Sequence, residues 1–316
     1  MSREPRRSAR ISQRVSMSDL EILYAVSQFG SMAKAAAELR ISQPAISRAV
    51  AEMETTLGVR LLDRSRRGVV PTLYGDALAR RANAVLDEVK HGIKEIEFLS
   101  DPAAGELYIG SPEPLTDALL PEVVQRFWRQ YPRVLIDIIP SLAGNFENLR
   151  ARKIDFQVNR LLPGFSGDDI LVEPLFDERI FIVAGLRNPW ARRNKIKLAD
   201  LADEKWIVQN NAFDSVAYAF QMRKLPVPRA TVAAYSAFLR NQLTANGDFL
   251  AILAAPQLLV LRNQGLKVKV LPVDLSNLKI KIAIFQLKNR TLSPVSRLFQ
   301  QYIREACLSG KFANAL

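Results

Sequence analysis

Residues 31–48 read Ser31-Met32-Ala33-Lys34-Ala35-Ala36-Ala37-Glu38-Leu39-Arg40-Ile41-Ser42-Gln43-Pro44-Ala45-Ile46-Ser47-Arg48, and they decide how the first hundred residues are organised. Ser31 is placed to cap a short helix from Met32 to Leu39, rich in alanine. Arg40 and Ile41 turn the chain. Ser42 is placed to cap a second helix, with Pro44 in its first turn, where a missing N–H costs nothing. That helix is expected to run to Leu57 and to stop at Gly58. Two helices joined by so short a turn form a helix-turn-helix. Ala36 supplies the small residue where the helices cross, and Leu39, Ile41, Ile46 and Ala49 fall at core-facing offsets. Arg40 stands where such a turn usually has glycine.

Upstream, Ser18–Ser27 reads as an amphipathic helix with Leu20, Leu23, Tyr24 and Ser27 on one face, ended by Gly30. Downstream, Val59–Leu62 is strand-like, Asp63-Arg64-Ser65-Arg66-Arg67-Gly68 is a basic turn, and Val69-Val70 is a return strand. A basic hairpin beside a helix-turn-helix is a wing, placed to reach backbone phosphate or a minor groove. The plainer alternative is a hairpin whose charges keep an edge soluble. Within the third helix Gln43, Ser47 and Arg48 share the exposed side, with Ala45 close by. Glutamine can pair with adenine and arginine with guanine or phosphate, and phosphate is the role expected of Arg48. Pro71-Thr72 opens a long helix, about Leu73–Leu99, some ~40 Å at 1.5 Å per residue. Its Leu78, Ala82, Val85, Val89, Ile93 and Ile96 repeat at three- and four-residue steps, which reads as a dimerising linker helix. His91 lies on it between charged neighbours and reads as a satisfied or exposed surface histidine, with a chemical role as the alternative.

These residues carry a resemblance. Residues Leu20–Gly75, with the segments Ser31–Ala36, Ser42–Ser47, Leu57–Leu62 and Arg64–Thr72 in order, resemble the LysR-type transcriptional regulators. That family usually has Phe where Leu62 stands and Glu where Asp63 stands, both conservative changes. The resemblance implies a winged helix-turn-helix over residues 15–72. Its DNA-binding face would comprise Ser31, Ala33, Ser42, Gln43, Pro44, Ala45, Ser47, Arg48, Arg64, Arg66 and Arg67.

The 316 residues carry 44 Lys+Arg against 32 Asp+Glu, a formal charge of +12. Residues 1–81 hold 14 basic and 8 acidic groups, 82–100 hold 2 and 4, and 101–316 hold 28 and 20. The N-terminal block is therefore the most basic per residue, a moderate bias toward an anionic partner. Cys307 and His91 are single, which excludes a disulfide framework and a Cys/His zinc site, and excludes a Ser-His-Asp triad unless His91 is its base. The arginines at 3, 6, 7, 10 and 14 have no apolar core after them, so residues 1–14 read as a disordered basic tail rather than a secretory signal; contact with DNA phosphate is the alternative. No apolar run reaches the ~18–20 residues of a membrane span. A cytoplasmic, nucleoid-associated protein without cofactor is expected.

After a hinge at residues 101–105, strands and helices alternate, with strands expected at Leu107–Gly110, Val134–Ile139, Ile154–Val158, Ile180–Ala184, Trp206–Val208, Thr231–Tyr235, Phe249–Leu253, Val268–Leu271 and Lys279–Phe285. Helices are expected at Thr116–Tyr131, Phe146–Arg152 and Pro294–Cys307. The pattern means parallel α/β sheets, which bind ligands beyond the carboxyl ends of their strands. The tips at Ser111, Ser141 and Asn159-Arg160 should converge. Arg160 could clamp a carboxylate, its alternative being a surface salt bridge. Ser111 is either a ligand contact or a helix cap. Glu113 at that mouth would repel an anion and select a hydroxyl or amine. The run of Arg187, Arg192, Arg193, Lys195 and Lys197 reads as a solvated loop, with an oligomer or flanking DNA contact as the alternative.

The resemblance extends here to the LysR-type effector domain, which is similar to periplasmic solute-binding proteins. It implies two Rossmann-like α/β subdomains flanking a cleft in residues 106–316, the first about 106–175 plus 284–310 and the second about 176–283. It adds Gly247, in the segment Gly247–Pro256, and Gln209 and Asn210 to a pocket for a small organic effector, often anionic. It further implies a homodimer, and a homotetramer that bends promoter DNA at imperfect palindromes and activates with RNA polymerase. Two other readings stay open: an enzyme on a doubly wound fold using a carboxylate or Ser-Lys site, and an exported solute-binding protein, which the missing signal segment opposes. No Gly-x-Gly-x-x-Gly or phosphate-loop motif is present.

Overall fold

A computed structural model describes residues 15–65, 68–209 and 215–308. They fall into two compact units, one up to Lys94 and one from Glu95 onward. The basic tail, Arg66, Arg67 and Asn210 lie outside the described residues.

The first unit begins with α1 (Met17–Phe29), α2 (Met32–Leu39) and α3 (Gln43–Leu57). Each start is fixed by a side-chain oxygen that accepts an otherwise unbonded helix N–H: Ser16 from Asp19, Ser31 from Lys34, and Ser42 from Ala45. Gly30 and Gly58 end α1 and α3 in the left-handed conformation. Arg40 ends α2 at φ 55°, a conformation that costs a non-glycine residue about 1 kcal/mol. Leu23, Val26, Ala35, Ile46, Val50 and Leu61 close one apolar core. Ile41, expected in that core, is exposed; it follows Arg40 and precedes the Ser42 cap, so the turn carries it to the surface.

The hairpin pairs β1 (Leu62–Ser65) with β2 (Gly68–Pro71) in antiparallel register, Leu62 opposite Pro71 and Ser65 opposite Gly68. The strand expected at Val59–Leu62 therefore lies three residues further on, because the Glu54 carboxylate holds Leu61 and Leu62 by their N–H groups (2.7 and 3.1 Å) at the end of α3. Thr72 Oγ1 donates to the Arg60 carbonyl and accepts from Gly75 N–H, which starts α4 (Leu73–Ser100). His91 on α4 is buried, not superficial, with Nε2 3.6 Å from Asp87 Oδ1. Val85, Val89, Ile93 and Ile96 stay exposed along the same helix.

The second unit is a mixed sheet in the order β4-β3-β5-β11-β6-β9-β7-β8, with β10 beside β6. Its strands are β3 (Ala104–Ser111), β4 (Arg133–Pro140), β5 (Phe156–Leu161), β6 (Ile170–Gly185), β7 (Trp206–Gln209), β8 (Ala230–Ala234), β9 (Leu250–Ala254), β10 (Val268–Val270) and β11 (Lys279–Leu287). Pairing is parallel within β4-β3-β5 and within β9-β7-β8, but β6 and β11 run antiparallel to their neighbours, so the expectation of purely parallel sheets is corrected. β6 is the reason. Its first half pairs with β11 and its second half with β9 and β10, so one 16-residue strand joins two lobes. Pro174 sits where the register with β11 shifts, a bulge that tolerates a missing N–H.

Helices cover both lobes: α5 (Glu113–Ala118), α6 (Leu120–Gln130), α7 (Glu147–Arg150), α8 (Ser215–Met222), α9 (Ala237–Asn246), α10 (Ala255–Asn263) and α11 (Pro294–Leu308). The single helix expected over Thr116–Tyr131 is two, since Pro121 supplies no N–H and opens a fresh helix at α6. The first lobe packs Leu107, Phe127, Val158, Ile282 and Phe299; the second packs Ile182, Leu201, Trp206, Phe220 and Leu250. No helix among the described residues is long and apolar enough to cross a membrane.

Gly75 abuts the hairpin so closely that a Cβ would stand 1.9 Å from the Leu61 carbonyl oxygen. Gly75→Ala should therefore destabilise the N-terminal unit by about 1–3 kcal/mol, as overpacking does, in a thermal unfolding scan of the full chain; an unchanged transition would refute that contact.

Candidate nucleic-acid interface and effector cleft

The exposed face of the first unit is built from the start of α3 and the strand β1. Ser42, Gln43, Pro44, Ala45 and Arg48 are exposed, as is Ala33 on α2, while Ser31 and Ser47 are half-buried. Ser31 and Ser42 use their hydroxyls as helix caps, which fixes where each helix begins. Gln43 and Arg48 stand free of that duty, five residues apart on the same helix. Arg64 Nη1 donates to Ser47 Oγ at 3.3 Å and ties the wing to the exposed side of α3. Val69 N–H donates to the Gly30 carbonyl at 2.9 Å, anchoring the other wing strand to the end of α1. Helix start and wing are thus held as one surface with guanidinium groups at its margin, able to place α3 against base edges and cations against phosphate.

In the second unit, Pro114, Arg160, Ile207, Val208, Gln209, Ser215, Val216, Arg240, Ala251, Ile252, Leu253 and Gln257 line a cavity between the lobes. Among the described residues its free volume is about 30 Å³, room for water. Of the expected residues, Arg160 and Gln209 line it. Arg160 is neither a free clamp nor a surface ion pair: it is 6% exposed, and its Nε donates to Glu178 Oε2 at 2.9 Å, with Glu178 fully buried on β6. The desolvation of that carboxylate is offset by the guanidinium, and the pair locks β5 to β6.

Ser111, Ser141 and Asn159 converge as expected, but none of them lines the cavity. Ser141 N–H donates to the Ser111 carbonyl, Ser141 Oγ donates to Gln157 Oε1 at 2.8 Å, and Asn159 Nδ2 donates to the carbonyls of Ser141 and Leu142. Ser111 caps no helix; Pro112 precedes α5 with no side-chain cap. Gly247 is corrected as well. It ends α9 at φ 102° and its carbonyl accepts from Asn188 Nδ2, at the opposite end of the helix from the cavity, because the chain must reverse there into β9.

Glu113 does not repel anions at an open mouth. Its Oε1 accepts from Ala237 N–H at 2.9 Å and its Oε2 lies 3.3 Å from Arg240 Nη2, so it is neutralised by the far lobe. Asp117, one turn on, has its carboxyl raised above the usual range by burial and then by Glu113, with Arg240 opposing. Burial pulls the Arg240 guanidinium down, and Glu113 and Asp117 counter it. Arg240, Ser215 and Gln257 had no place among the expected pocket residues, whereas Ile252 and Leu253 fall in the segment Gly247–Pro256 that the resemblance sets beside the cleft. The signal for Arg240 was its position four residues after a capping serine, Ser236, at the head of α9, a helix that the sequence left unassigned. Burial pushes the Cys307 thiol up to about 12, so it is no nucleophile at neutral pH.

A winged helix-turn-helix followed by a two-lobed α/β module with a cleft defines a ligand-responsive DNA-binding regulator. Residues 17–76 match the bacterial regulatory helix-turn-helix protein model of the lysR family, and residues 100–308 match the LysR substrate binding domain. The chain belongs to the LysR family of DNA-binding transcriptional regulators, and the enzyme reading falls away because its relatives are regulators. It is 28% identical over 302 residues to the uncharacterized HTH-type transcriptional regulator YybE of Bacillus subtilis (90% of this chain, 96% of that protein). It is 26% identical to the regulator GbpR of Azospirillum brasilense (94% and 88%). Full-length OxyR from Pseudomonas aeruginosa, in a substituted form, shares the fold with a TM-score of 0.67 at 20% identity (95% and 96%). CbnR solved with its target DNA does so at 0.60 and 21% (92% and 99%).

Removing Arg160 would strand Glu178. Arg160→Ala should lower the unfolding free energy by about 3–5 kcal/mol in urea, and Arg160→Met combined with Glu178→Gln should recover much of the loss. A single substitution costing under about 1 kcal/mol would show that the pair does not hold the lobe.

Proposed function

We propose that α3 reads promoter DNA through Gln43 and Arg48, with Arg64 and the basic residues Arg66 and Arg67 reaching phosphate, and that a small anionic organic effector in the cleft switches that binding. The observation that carries the effector class is the lining of the cavity. Among the described residues that line it, the charged groups are two guanidiniums, Arg160 and Arg240. A carboxylate or phosphate effector suits such a lining, with Gln209, Ser215 and Gln257 as neutral partners and Ile207, Val216, Ile252 and Leu253 as apolar walls.

The unit division we propose is a basic tail over residues 1–14, the DNA-binding domain over 15–72, the linker helix over 73–100 and the effector domain after it; the hinge expected at 101–105 shortens to residues 101–103, because β3 begins at Ala104 and pairs there with β4. The exposed Val85, Val89, Ile93 and Ile96 on α4 support a homodimer through that helix, since an apolar stripe of this length is stable in water only against a partner. Two dimers forming a tetramer would set two pairs of α3 helices on imperfect palindromes. Activation with RNA polymerase, and action at the nucleoid in the cytoplasm, complete the reading.

Arg48→Ala should weaken binding to the upstream region of its own gene about equally for matched and mismatched sites and reduce the salt slope by about 1. Gln43→Ala should instead cost about 1–3 kcal/mol at the cognate site alone. Fluorescence anisotropy across salt concentrations measures both, and unchanged affinity in both variants sinks the docking. Ile93→Glu should shift the chain from dimer to monomer in sedimentation velocity; an intact dimer places the interface elsewhere.

A further inference from the structure

The cleft is bridged by a carboxylate of the protein itself. Glu113 follows the tip of β3 in the first lobe, and its partners Ala237 and Arg240 belong to α9 in the second, more than 120 residues away. Three features make this more than a surface ion pair. Glu113 Oε1 takes the first N–H of α9, a position where a negative charge is favoured by the helix dipole. Arg240 is 6% exposed and already spans the end of β8, with Nη1 donating to the carbonyls of Ala234 and Tyr235, so its guanidinium is fixed before Glu113 arrives. Pro114, the neighbour of Glu113, lines the cavity together with Arg240, so separating the lobes at this rim breaks the Glu113 contacts.

We infer that Glu113 is a built-in latch: its carboxylate occupies the anion seat formed by the α9 N-terminus and Arg240, and holds the cleft shut until an effector carboxylate takes that seat. This rests on the anionic-effector reading only for the identity of the displacing group. The latch itself rests on the Glu113 contacts with Ala237 and Arg240. Arg160 is a weaker seat, because Glu178 already compensates its charge from within the core. Glu113 is the exchangeable carboxylate, since its side chain is 36% exposed and can swing out to water.

The test uses the full chain and sodium propionate, which carries the two-carbon carboxylate of the glutamate side chain. Hydrogen exchange is followed in peptides covering residues 234–241. Without any ligand, Glu113→Ala should speed exchange there by about tenfold or more, the scale of losing one charge-assisted hydrogen bond. Glu113→Gln, which keeps the shape and one acceptor, should fall between, and it serves if the alanine variant folds poorly. Propionate should slow exchange in Glu113→Ala back toward the wild-type rate, while neutral propionamide should not, and wild type should not respond to either. Unchanged exchange in both variants overturns the latch. Accelerated exchange that propionate does not reverse overturns the shared anion seat. A natural effector that proves to be cationic or neutral refutes the anionic reading, and the ligand-free exchange result is unaffected by it.

Discussion

The buried pair between Arg160 on β5 and Glu178 on β6 is the constraint on which the cleft depends. β6 is the strand that leaves one lobe and enters the other without a break, and β11 returns beside it. A long antiparallel pair has freedom to slide, and a slip of one residue would turn every side chain to the wrong face. The ion pair reaches across β11 from β5 to β6 and fixes those two flanking strands against each other, because a slip of β6 relative to β5 would strand a charge in the core. The bulge at Pro174 and the Arg304–Glu173 bonds from α11 then fix the rest of the crossing.

With the crossing fixed, the cleft is organised by charge compensation at two arginines. Arg160 has its carboxylate in the same lobe and within the core. Arg240 has its carboxylate in the other lobe and at the rim. The first arrangement holds a lobe together; the second holds two lobes together and can be exchanged. This asymmetry explains why an overall excess of positive charge in residues 101–316 leaves the cavity locally balanced. An anion entering the cleft would replace a carboxylate at Arg240 and would not have to add to an unmet positive charge.

The DNA-binding unit was legible in the sequence because its signals are local. Ser31, Ser42, Pro44, Gly30 and Gly58 each act within one turn of helix, and all mark helix ends at or beside the expected positions. The cleft was less legible because its decisive contacts join residues 18 to 127 positions apart. Arg160 was found at a strand end, where the topology rule points, and Gln209 came from the family resemblance. Glu178 was missed because residues 170–179 contain Pro174 and alternate poorly, so β6 was seen only from Ile180. Arg240 was missed because α9 carries no strong apolar face, although Ser236 marks its start. Glu113 was seen, but as a lone carboxylate at a mouth; only the position of α9 reveals that its charge is met.

A regulator of this kind responds only to a ligand that binds its two shapes unequally. In the closed shape the cavity holds water-sized space and Glu113 occupies Arg240, so an organic anion has little to bind. In an open shape the α9 N-terminus and Arg240 lose their carboxylate and gain affinity for one. The free energy that Glu113 contributes to closure is therefore subtracted from the apparent affinity of the effector, as expected when the competent state is a minor population. A ligand must bring further contacts, to Gln209, Ser215 or Gln257 and to the apolar wall of Ile252 and Leu253, before it outcompetes a carboxylate tethered to the protein. With the latch proposed above, selectivity would reside in those neutral side chains, and the charge at Arg240 would set the threshold.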